Sequence, residues 1–203
     1  MKKILTGVGA VLTGTLLTQF AAHATPSLLD TTTYGGDTFS LYQGDATTDT
    51  GADAWSNAEA FAAAHGGTLA ALTSDAEIQA VYNAFSGTGF FQPVASQAGE
   101  AWLGAQVNSP RGSQSTTDPS NWYWVNGATW TPEDTANFNY GEPNGDSEGL
   151  AMNRYGTYTF NDEGGYVGGF IMETATVPDS GTTLSMLGGA FALMGVCKRK
   201  FGR

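Results

Sequence analysis

Phe138-Asn139-Tyr140-Gly141-Glu142-Pro143-Asn144 is followed by Glu148 and, a dozen residues after that, by Phe160-Asn161-Asp162. If the two segments are neighbouring loops, three carboxylates and two amides converge. Such a set suits a hard cation, because calcium takes about six to eight oxygen ligands from Asp, Glu and Asn side chains and backbone carbonyls. Without an ion, three packed acidic groups repel one another. A Glu-Pro bond can be held cis, and a cis Glu142-Pro143 bond would aim the side chains of Glu142 and Asn144 at one point. A metal-free polar turn is the competing reading of the same residues.

Upstream of this stretch the periodicity is helical. Trp55, Ala58 and Ala62 recur at intervals of three and four, and Gly66-Gly67 closes the run. A second helix opens at Ser74-Asp75-Ala76-Glu77, a capping box, and carries Ile78, Val81, Tyr82 and Phe85 on one face. An apolar link, Leu69 to Leu72, joins the two, and the alternating Thr38 to Tyr42 reads as an earlier strand. Beyond Ser86 the pattern changes to short aromatic-rich strands, expected at Ala101 to Ala105, Trp122 to Val125, Gly156 to Phe160 and Tyr166 to Met172. Two helices followed by a loop-rich antiparallel sheet make an α+β domain. Trp102 and Trp124 read as core residues, whereas Trp122 and Trp130 stand between core and a surface platform. His65 reads as a C-terminal helix residue, and Glu59, Glu77 and Glu163 read as solvated charges.

The two ends read as sorting signals. Lys2 and Lys3 precede an apolar run, Ile4 to Phe20, that closes on Ala22-His23-Ala24, so residues 1–24 are expected to be a secretory signal peptide. Residues 25–36 read as a linker, 37–175 as the domain and 176–203 as a tail. In the tail, Val177-Pro178-Asp179-Ser180-Gly181 precedes an apolar segment, Leu184 to Val196, and the basic stop Lys198-Arg199-Lys200. This order resembles the VPDSG variant of bacterial sorting tails. The resemblance implies transient membrane contact and processing by an exosortase-like enzyme, with a retained tail anchor as the alternative. Between the ends only Arg111 and Arg154 remain of eight basic residues, against every acidic residue except Asp179. That balance repels nucleic acid and anionic headgroups and excludes a nucleic-acid function. The only cysteine, Cys197, lies in the tail, so the domain is expected to be held by core packing, to which a bound ion could add, rather than by disulfides.

The domain resembles the C-type lectin-like family from about Phe39 to Glu173. The matches run in order: Trp55-Ser56-Asn57-Ala58-Glu59, Gly66-Gly67-Thr68-Leu69, Trp102-Leu103-Gly104, Trp124-Val125-Asn126-Gly127, Glu142-Pro143-Asn144, Asn161-Asp162 and Phe170-Ile171-Met172-Glu173. The resemblance implies that Glu142, Asn144, Glu148, Asn161 and Asp162 ligate Ca2+ and, through the same side chains, bind two vicinal sugar hydroxyls. The Glu-Pro-Asn form implies a mannose-type glycan or an extracellular polysaccharide as partner, at the cell surface or in a polysaccharide matrix. Three departures stand out. The family's four cysteine positions hold Ala62 with Met172 and Leu150 with Gly165. Phe138 and Phe160 stand where tryptophan is common, and the loop between Asn144 and Glu148 is about two residues shorter than in typical sugar binders. The alternative function is a C-type lectin-like domain without sugar binding, serving protein contact or matrix structure. A glycosidase built on Glu142 and Glu148 is the weakest reading, since no Ser-His-Asp set, P-loop or cysteine nucleophile accompanies them. The chain is therefore expected not to be an enzyme.

Overall fold

The computed structural model describes residues 25–44, 52–91, 99–108, 117–145, 149–154, 156–164 and 167–175. The signal-peptide and tail readings lie outside them. Among the described residues no helix is long and apolar enough to cross a membrane.

The elements are β1 (Ser27–Tyr34), β2 (Asp37–Gln43), α1 (Ala52–Ala64), β3 (Thr68–Leu69), α2 (Asp75–Phe85), β4 (Ala101–Val107), β5 (Trp122–Trp124), α3 (Pro132–Ala136), β6 (Gly149–Met152), β7 (Phe160–Asp162) and β8 (Gly169–Ala175). One mixed sheet runs in the order β1-β2-β8-β4-β6-β7, with β3 added to β8 and β5 to β4. All these pairings are antiparallel except β4 with β8.

Strand alternation loads both faces of this sheet. Leu103 and Ala105 of β4, Leu150 and Met152 of β6 and Ile171 of β8 join α2 residues Ile78, Val81 and Phe85 in the larger core. The intervening Trp102, Ala151, Phe170 and Met172 pack instead with Trp55, Ala58 and Ala62 of α1. Each helix thus covers a different face. Ala62 and Met172, which replace one cysteine pair of the resembled family, are buried in the same α1 cluster, so apolar packing fills that space.

The helix starts follow from the sequence. Ser74 accepts the Glu77 N–H, as a capping residue should, but the Glu77 carboxylate reaches Thr73 N–H at 2.8 Å rather than the cap itself. Glu59 Oε2 likewise accepts the Leu69 N–H at 3.0 Å. Neither glutamate is the free solvated charge that its polarity suggests, because each closes a backbone donor that the chain leaves open as it turns.

Other elements differ from expectation. The segment 25–36, read as a linker, contains β1, whose β-branched Thr31, Thr32 and Thr33 pair along β2. The strand expected at Gly156 to Phe160 begins only at Phe160, and β6 is an additional strand, its four residues all buried and so without alternating polarity. Between β4 and β5 the described part of the chain carries a short 3-10 turn, Pro119–Asn121. A third helix, α3, starts where Thr131 and Asp134 form a reciprocal capping box with Pro132 in the first turn.

The Trp102-Leu103-Gly104 motif has a packing reason. Trp55 Nε1 donates to the Leu103 carbonyl at 2.7 Å, and Gly104 N–H donates to the Ala70 carbonyl at 2.8 Å. A Cβ on Gly104 would run into the Leu69 carbonyl, backbone that cannot swing aside. Gly104→Ala is therefore expected to destabilise the fold by about 1–3 kcal/mol, seen as a lower urea midpoint at unchanged slope.

Candidate functional site

Loop 137–145 is fastened to β7 by backbone and by one carboxylate. Phe160 N–H donates to Asn137 O at 2.8 Å, and Asn139 N–H donates to Phe160 O at 2.9 Å. The Asp162 carboxylate then takes two main-chain donors, Asn144 N–H on Oδ1 at 2.8 Å and Gly145 N–H on Oδ2 at 2.6 Å. Between these anchors Glu142 N–H closes a turn onto Asn139 O at 2.9 Å, with Gly141 at φ 90°, where glycine carries no side-chain penalty. The Glu142-Pro143 bond is cis. The two segments are thus neighbours.

Glu142 is half-buried, Pro143 buried, Asn144 exposed, and Asn161 and Asp162 buried. Glu148 lies outside the described residues. Phe138 and Phe160 pack edge to face, and Phe160 also meets the Trp124 ring. These rings back the loop from below. Trp122, one of the two tryptophans left open between core and platform, is only 3 % exposed and belongs to the core. Trp130 packs between Trp122 and Trp124 and donates its indole N–H to Thr135 Oγ1 at 3.0 Å, which occupies its polar edge inside the fold. Tyr140, at the apex of the turn, is fully exposed.

Behind Asn161 lies a charged cluster that sequence reasoning missed. Arg154 Nη1 donates to Glu100 Oε1 at 3.1 Å and to Glu163 Oε2 at 2.9 Å, and Glu100 is entirely buried. Glu163, expected as a solvated charge, is 5 % exposed and accepts Asn161 Nδ2 on that same oxygen at 2.9 Å. The strand alternation ends at Asn153, held at φ 81° with its Nδ2 on Gly99 O, and the next residue is the arginine. The only usable signal in the sequence was that Arg154 stands alone between the two ends apart from Arg111. A lone cation in an acidic chain is a natural partner for buried carboxylates.

Asn161 Oδ1, buried with its residue 3 % exposed, accepts no hydrogen bond. An unsatisfied buried acceptor costs about 1–3 kcal/mol, and a hard cation is one way to satisfy it. The donor chemistry around it is all oxygen: Glu142, Asn144, Asn161 and Asp162. A carboxylate oxygen carries two lone pairs, so accepting one amide does not by itself exclude it from ligation. Among the described residues no three His, Cys, Asp or Glu side chains gather as a metal cluster, so the described carboxylates alone do not complete a shell. The residues fit calcium in donor type.

Comparison with known proteins yields a match at the C-terminus: residues 176–201 fit the family profile described as the VPDSG-CTERM motif. No curated protein sequence matches the chain. Among solved structures, CEL-IV superposes with a TM-score of 0.52 at 18% identity, covering 73% of this chain and 93% of that one. The SPL-1–GlcNAc complex gives 0.50 at 18% identity, covering 72% and 93%. The C-type lectin CEL-I from Cucumaria echinata gives 0.49 at 18% identity, covering 71% and 94%. The fold is C-type lectin-like, an α+β architecture.

The buried cluster has a consequence in pH. Burial, then the neighbouring Glu163 charge, push Glu100 up from 4.5 to about 8, against the opposing pull of Arg154. The folded state therefore keeps a proton that the unfolded chain has lost. The resulting stability is fully present below about 4.5 and is lost as pH rises through about 8. Melting temperature is expected to fall across that window, and Glu100→Gln, a neutral isostere, to flatten the fall and exceed the parent at the alkaline end. A scan of melting temperature against pH checks both.

Proposed function

We propose that this protein is an exported, calcium-dependent carbohydrate-binding module with a preference for mannose-type glycans. The observation that carries the reading is the fastening of the Glu142-Pro143-Asn144 loop to Asn161-Asp162 through the Asp162 carboxylate, together with the orphan Asn161 Oδ1. In this reading Glu142, Asn144, Glu148, Asn161 and Asp162 hold the ion. When bound, the ion supplies coordination positions that two vicinal sugar hydroxyls complete. The chain's own contribution is to fix the loop, to present amide and carboxylate groups that also hydrogen-bond the sugar, and to hold the exposed Tyr140 ring beside the site. No reaction is involved, and the protein is a binder rather than an enzyme. The like-folded SPL-1 was solved in complex with GlcNAc, which supports a sugar as the class of ligand.

The VPDSG-CTERM motif at 176–201 supports export and sorting at the cell surface, with an exosortase-like enzyme acting on the tail. Residues 1–24 act in this scheme as the signal peptide. A second reading, a domain that contacts proteins or matrix without sugar, is favoured by the two main-chain hydrogen bonds that Asp162 accepts, which fasten the loop through protein groups.

Protein lacking the signal and tail is expected to bind mannose-type resin in calcium and to elute with chelator. Retention that survives excess chelator would sink the calcium-dependent reading, and no retention at all would favour the second. Glu142→Gln combined with Asn144→Asp is expected to move preference toward galactose, measured by competition with the free sugars.

A further inference from the structure

A carboxamide offers two ends of nearly the same shape, one accepting and one donating, so only its hydrogen-bond partners decide which end faces a ligand. At Asn161 the decision is made by Glu163. Its Oε2 takes Asn161 Nδ2 at 2.9 Å and Arg154 Nη1 at 2.9 Å. That oxygen accepts from both groups, so it receives the donor end of the amide. Arg154, which also donates to the buried Glu100 at 3.1 Å, fixes that carboxylate in place. Among the described residues Arg154 is the sole lysine or arginine, and it is spent on this interior position rather than on the surface. Asn161 lies in β7 and Glu163 is the first residue beyond it, two positions on, so the contact is local to the chain.

We infer that Glu163 is a positioning residue for calcium: clamped by Arg154 and Glu100, it turns Asn161 so that Oδ1, not Nδ2, is the end offered to the ion. This rests on the calcium-site reading above and adds a residue that touches neither ion nor sugar. Partners that orient a metal ligand change affinity by about 10-fold to 100-fold when removed.

The test measures calcium affinity by titration calorimetry and, separately, the stability of calcium-free protein by urea unfolding. Glu163→Met removes the acceptor at similar length and is expected to weaken calcium binding by about 10-fold or more. Glu163→Gln can still present an oxygen to Asn161 Nδ2 and is expected to lose less. The decisive variant is Asn161→Asp in the Glu163→Met background. A carboxylate has an oxygen at either end and needs no turning, so calcium affinity is expected to recover. A purely structural role for Glu163 would leave affinity lost in that double variant. Calcium affinity unchanged in Glu163→Met, or not restored by Asn161→Asp, overturns the inference while the parent's calcium binding keeps the site reading intact. A parent that gives no calcium heat and no calcium-dependent rise in melting temperature overturns both together.

Discussion

The site depends on one carboxylate that accepts two successive main-chain amides. Asp162 ends a three-residue strand at the margin of the sheet, yet it takes the amides of Asn144 and Gly145 and so ties the 137–145 loop to β7. Loop backbone needs its polar groups satisfied, and few side chains can satisfy two successive amides at once. With Phe160 paired to Asn137 and Asn139 below, the loop becomes an extension of the sheet rather than an independent excursion. Everything proposed about ligand binding presumes this fastening.

A second layer supports the first. The Glu100, Arg154 and Glu163 cluster is buried where apolar packing would serve stability at least as well, since desolvating its polar and charged groups is costly and their attraction only partly offsets it. Its retention is better understood as orientation than as adhesion. Glu173 shows the same economy on a smaller scale: desolvated by burial, its carboxyl is pushed above the usual range, yet it accepts the Ala71 N–H at 2.9 Å and settles the chain between the two helices.

How much of this was legible in the sequence follows from which interactions are local. Helical spacing and caps act within a few residues, so α1 and α2 were readable from Trp55, Ala58, Ala62 and from Ser74 with Glu77. The ordered aromatic and glycine motifs were readable because each answers to a specific steric need, as Gly104 does against Leu69. The strand β1 was not, because three threonines between an aspartate and a glycine pair satisfy a polar linker equally well until β2 is beside them. Strand β6 was missed because burial on both faces erases alternation. Glu163 was misread for a deeper reason. A glutamate is solvated by default, and what overrides the default is an arginine nine positions back and a glutamate just ahead of β4, which no local pattern announces.

The arrangement of positive charge has a further effect on durability outside a cell. No lysine occurs between the two ends of the chain, and the one arginine among the described residues has its guanidinium held by two carboxylates, with 28% of its side chain exposed. A trypsin-like protease requires a basic side chain extended into its specificity pocket. To cleave after Arg154 it would have to withdraw that side chain from the fold first. The same placement that orients an asparagine also withholds the one basic side chain among the described residues from a common class of extracellular protease.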